Sequence, residues 1–255
     1  RRQRDELITA FLDRFPADER APSLVVRRIS GRDVPTDQDI ETLMAVPSAH
    51  PSWEIARRRA AQARYRRFRE AEQENRPLEG RAFLEVATEL LERERAEDVI
   101  LTDLNGLDGV LLRQVVEVST HAQVAEIQQA TRWIAMLDLA EQRGAFESHP
   151  DLPNELGYRR IVLALARDDL VSAVAQLELM PVAPDTTEAE RWTMIAAGRI
   201  HRLAHAKLQQ GGSGAKIAYA VVAAGQRLLD GESTNLEEAL QRERMLPIAA
   251  SVAAA

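Results

Sequence analysis

Apolar residues return every three or four positions along most of this chain, a period that a helix alone gathers onto one face. Phe83, Ala87 and Leu90 form one stripe, and Leu107, Leu111, Val115 and Val118 a second. Tyr158, Ile161, Val162 and Leu165 form a third, and Leu170, Ala173, Val174 and Leu177 a fourth. Each stripe needs a neighbouring helix to cover it, and the links between successive stripes are short. The expected fold class is therefore all-α: antiparallel helix pairs arranged as a helical bundle or a short α-solenoid. Aromatics make up only 4% of the residues, so Leu, Ala, Val and Ile must build the core.

The stripes and their punctuation set expected bounds. A short amphipathic helix runs from Asp5 to Phe15 and stops at Pro16. Residues 16–51 hold five prolines and are the least regular part, with Ser23-Leu24-Val25-Val26 as the one plausible extended piece. Thr36 is placed to cap a helix reaching about Val46, with Asp37 and Asp39 in its first turn, where the helix dipole favours anions. A long helix without Gly or Pro spans Ser52 to about Asn75. Pro77 and Gly80 then break the pattern, so the chain is expected to divide into an N-terminal helical region, 1–79, and a helical-repeat-like domain, 80–255. Further helices are expected at about 121–143, closed by Gly144, and 187–210, closed by Gly211-Gly212. A last pair falls at about 215–229 and 235–246. Thr187–Glu190 and Thr234–Glu237 both match the capping box.

Zero cysteines exclude disulfides, thiolate metal sites and a cysteine nucleophile. No apolar run reaches the eighteen or so residues a membrane span requires, and the opening Arg1-Arg2-Gln3-Arg4 precedes no apolar signal segment. A cytoplasmic location without integral membrane association is the expectation, and the arginine- and alanine-heavy composition is of a bacterial kind. The net charge of −7 is uneven: residues 1–80 hold 16 Arg against 14 carboxylates, whereas the remainder holds 17 cations against 26. Arginine is the dominant cation, Lys207 and Lys216 being the only lysines.

Within 155–185, two short helical patterns meet at Arg167-Asp168-Asp169-Leu170, with small Ala173 at the crossing, Leu177 four residues on, and Pro184 near the end. This segment, about 30 of 255 residues, resembles a single tetratricopeptide-repeat unit. Leu156-Gly157 departs from the repeat's usual register, and the pattern does not return one repeat length away. The resemblance implies a concave surface that binds peptides or partner proteins and has no chemistry of its own.

Several segments carry residue types that chemistry uses. His201 and His205 lie one turn apart on one helical face, a spacing that divalent metals use, with Glu190 or Glu238 as further ligands only if the fold supplies them. His50, His121 and His149 sit near expected helix ends, where capping is the plain reading. Asp103–Gly109 has the alternation of oxygen donors and glycine found in calcium loops, but Leu107 and Gln114 occupy liganding positions, so it reads as a turn. Gly211–Lys216 lacks the register and the hydroxyl of a phosphate loop and reads as a connection. Ser119 and Ser172 have no elbow glycines around them.

The strongest positive feature is the cluster Arg57, Arg58, Arg59, Arg64, Arg66, Arg67 and Arg69, interleaved with Tyr65 and Phe68. Such a helix contacts phosphates and bases, meets an acidic partner, or pairs with acids of its own protein. Three functions follow in order of expectation. The first is a helical protein–protein interaction or scaffold protein without catalytic activity or cofactor, recognising a protein or peptide. Second comes a nucleic-acid-binding protein using residues 52–75. The third is a helical enzyme or metal-binding protein with a site between helices, where His201 and His205 are the first candidates.

Overall fold

The structure is a computed structural model that describes residues 2–32, 34–93, 103–121, 124, 126–180 and 187–210. It forms two compact units, 1–119 and 120–255. The described residues contain helices and no strands, and none of these helices is long and apolar enough to cross a membrane. The fold is all-α.

The first unit contains α1 (Arg2–Arg14), α2 (Ala21–Ser30), α3 (Asp37–Met44), α4 (Trp53–Glu70), α5 (Arg76–Leu91) and α6 (Leu107–Ser119). Ser23–Val26, expected to be extended, lies inside α2. Pro22 occupies its first turn, where the missing N–H costs nothing, and Ala21, Val26 and Ile29 turn inward together at helical spacing. The Thr36 cap is present in full: its hydroxyl accepts from the Asp39 N–H, while the Asp39 carboxylate accepts from the Thr36 N–H at 2.9 Å. Burial alone would push the Asp39 carboxyl up, but the Thr36 N–H and the Arg32 guanidinium hold it below its ordinary value.

The break expected at Pro77 and Gly80 starts α5 instead. Proline is welcome in a first helical turn, Gly80 is buried, and α5 packs along α4 within the first compact unit. Arg57 meets Glu89 and Arg64 meets Glu79, a pairing order that makes α4 and α5 antiparallel. Arg58 meets Asp108 while Tyr65 and Arg69 meet Glu117, so α6 runs parallel to α4. Along α4 the buried side is mostly alanine, with Ala56, Ala60 and Ala61 fully covered, which lets a neighbouring helix approach closely.

The second unit contains α7 (Ile127–Gln142), α8 (Leu152–Ala166), α9 (Leu170–Leu179) and α10 (Thr187–Gln210). The expected 121–143 helix starts later, at Ile127, and closes as anticipated at Gly144, whose φ of +79° is left-handed. Contacts Asp138–Arg160 and Thr131–Arg167 set α7 antiparallel to α8. Residues 167–169 reverse the chain between α8 and α9. Asp168 takes φ +62°, and Asp169 caps α9 by accepting from the Ser172 N–H and hydroxyl, which holds its carboxyl below the ordinary value. The ring contact Tyr158–Trp192 and the ion pair Asp168–Lys207 make α10 parallel to α8. Ile161, Val162, Leu170, Ala173, Val174, Ala196, Ile200 and Ala204 form the core between these three helices. The Gly211–Lys216 connection, the two helices expected after it and the Thr234 cap lie outside the described residues.

Candidate functional site

The arginines of α4 turn toward groups of their own unit. Arg57 is buried: its Nη1 donates to the carbonyls of Leu43 and Met44 at 3.0 and 2.9 Å, its Nε donates to Glu89, and its plane lies over Trp53. Arg58 bridges Glu54 and Asp108. Burial would lower its pKa, but these two carboxylates raise it above the usual arginine value. Arg59 donates to the carbonyls of Ser30 and Arg32. Arg64 reaches Glu79, Arg66 pairs with Glu70 one turn away, and Arg67 pairs with Asp37, whose carboxyl it lowers. Arg69 meets Glu117, whose charge raises the arginine's pKa. Tyr65 and Phe68, interleaved with them, pack inward, Tyr65 against Phe83 at 5.4 Å.

His201 and His205 share a face of α10, with ring centres 6.3 Å apart. Among the described residues no group of three or more His, Cys, Asp or Glu is arranged to hold a metal ion. Glu190's side chain and Glu238 lie outside the described residues. At the Asp103–Gly109 turn, Asp103 accepts from the Asn105 N–H, as an Asx-turn does. A Cβ on Gly109 would stand 2.4 Å from the Leu104 Cα, so glycine is required by close backbone approach. His50 does serve a helix start: its Nδ1 accepts from the Ser52 N–H at 3.0 Å, and the other ring nitrogen meets the Glu19 carbonyl.

Concavities open at several helix junctions, and two of them have leucines in their walls. In the first unit, α1, α2 and α3 enclose an open groove of about 370 Å³ with Leu12, Pro16, Val25, Val46 and Pro47 in its walls and Asp13 and Arg28 among them. In the second unit a smaller cavity of about 110 Å³ lies where the end of α7, the first half of α8 and the end of α9 meet. Leu156, Gly157 and Met180 supply its apolar surface, while Glu141, Arg160 and Gln176 supply polar groups. Leu179, 74% exposed, lines it too. Gly157 is what seats Met180 there: a Cβ at position 157 would come within 2.6 Å of the Met180 Cγ.

Of the residues of this second cavity, only Leu156 and Gly157 stand out from the sequence, and their misplaced register is their sole signal. Another feature missed was the stack on α8 and α10, where the guanidiniums of Arg159 and Arg199 each lie 5.3 Å from the Tyr158 ring and Arg159 also faces Trp192. Arg159 is buried and pairs with Glu155 one turn back. No family model, curated protein or solved structure matches the chain.

Proposed function

We propose that the chain is a helical protein-interaction module that holds a peptide or protein partner in an opening between its packed helices. The observation that carries this reading is the cavity at the junction of α7, α8 and α9, where polar and apolar groups line one opening beside the exposed Leu179. The up–down–up order of α8, α9 and α10 supports reading 155–185 as a tetratricopeptide-like hairpin, a form suited to peptide recognition. The ion pairs and carbonyl contacts that six of the seven arginines of α4 make with other elements support giving that helix the task of joining its own unit rather than tracking phosphates.

Gentle, low-salt isolation of the protein from its native cells, followed by crosslinking, mass spectrometry and absorbance at 260 nm, tests the reading. A stoichiometric protein partner is the expected result. Nucleic acid that leaves with salt and no longer binds after Arg64, Arg66 and Arg67 become Gln would replace it with the phosphate-binding function. A stoichiometric metal, or small-molecule turnover without a protein partner, would replace it with an enzymatic one.

A further inference from the structure

We infer that the cavity between α7, α8 and α9 recognises a lysine side chain of a partner protein, an inference that rests on the interaction reading above. Its surface is divided in the way a lysine is divided. Leu156, Gly157 and Met180 present carbon to an alkyl stem, whereas Glu141 and Gln176 present oxygen to a terminal ammonium. Charge decides the sign of the ligand. Arg160 is already neutralised by Asp138, whereas Glu141 makes no ion pair among the described residues, so among them it is the carboxylate of the cavity that remains uncompensated. At about 110 Å³ the space suits a slender, flexible stem better than a planar, rigid guanidinium or an aromatic ring.

A second copy of this chain is a poor donor, since it carries only Lys207 and Lys216, and Lys207 is occupied by Asp168. The occupant assigned to the cavity is a different protein, presenting a lysine next to an apolar residue that covers Leu179.

The probes are an acetylated, amidated alanine pentapeptide with a central lysine and its counterparts with central norleucine or glutamate, titrated into the full chain and followed by amide NMR. The lysine peptide is expected to shift Gly157, Gln176 and Leu179 saturably, with norleucine roughly two- to five-fold weaker, as an exposed ion pair allows, and glutamate weaker again. Glu141→Gln should erase the lysine–norleucine difference, and Glu141→Lys should make the glutamate peptide the best ligand. Position 141 is exposed, so both variants should keep the helical circular dichroism of the parent. Gly157→Ala should drive Met180 into the cavity and weaken every peptide alike. Equal binding of lysine and glutamate peptides, or shifts confined to other residues, would overturn the assignment. If crosslinking captures a partner and Glu141→Lys leaves that capture unchanged, the pocket assignment falls while the interaction reading stands. If the lysine peptide binds as described and no partner is ever captured, the pocket stands and the interaction reading falls.

Discussion

Each unit contains three consecutive helices that run up, down and up, α4–α5–α6 in the first and α8–α9–α10 in the second, yet the two trios are joined by different forces. In the second, the parallel helices α8 and α10 meet through carbon: Ile161, Ala196, Ile200 and Ala204 share one core, and even the buried Arg159 is held by ring faces as well as by Glu155. In the first, the parallel helices α4 and α6 are linked by long polar side chains, Arg58 to Asp108 and both Tyr65 and Arg69 to Glu117. The alanine side of α4 accounts for this. Small residues bring one neighbour close and leave the others at a distance that an arginine spans. An arginine-rich helix in an acidic protein can thus be its most internally committed element.

The sharpest way to break this contrast is to remove carbon from the second unit. Ile161→Ala should cost about 2–5 kcal/mol, as expected for a fully buried aliphatic side chain, and the loss should be the same at low and high salt. Urea unfolding at two ionic strengths measures it, and a strong salt dependence would show that α8 is not held by apolar packing. Next in size is Arg57→Ala, expected to cost about 3 kcal/mol because two carbonyls and a carboxylate lose their donor together. Arg57→Lys should recover less than half of that in the same urea assay, since one ammonium cannot reproduce the guanidinium's fork.

A third prediction concerns acid. Asp39 has a folded-state pKa below its unfolded value near 4, so its contribution is complete above that value and disappears as the pH falls through the lowered one. Asp39→Asn should destabilise the first unit by about 1 kcal/mol at pH 7, with the difference from the parent fading as the pH falls through the lowered pKa of Asp39. Circular dichroism melts across that range report it, and a difference that grows toward acid would reverse the assignment. The smallest effect belongs to Arg66→Gln. Its pair with Glu70 is exposed on both sides, and less than about 0.5 kcal/mol should separate it from the parent. A larger loss in urea would place Arg66 among the structural arginines with Arg57.

The helices were legible because their information is local. Thr36 and Asp39 are three residues apart, and the 187–210 helix has the bounds that the capping-box pattern at Thr187 and the glycines after Gln210 suggest. Ser23–Val26 misled because β-branched residues read alike in strands and buried helix faces, and the deciding partner, Ile29, lies outside that short window. Pro77 misled because proline both ends helices and begins them. The arginine pairings were beyond the sequence for a different reason: Asp108 and Glu117 lie some fifty residues from Arg58 and Arg69, and dozens of other carboxylates were equally eligible. The cavity at α7–α9 was hidden in the same way, its lining being drawn from three helices that no spacing rule connects.

The stacking of arginines on rings also makes the protein self-reporting. Trp53 in the first unit lies beneath Arg57 and Arg93, and Trp192 in the second faces Arg159. An indole with a cation over its face has an emission set by that charge, and unfolding removes the charge. With Trp133 replaced by Phe, the two remaining indoles can be retained one at a time, so the opening of each unit can be followed by its own intrinsic fluorescence without any label.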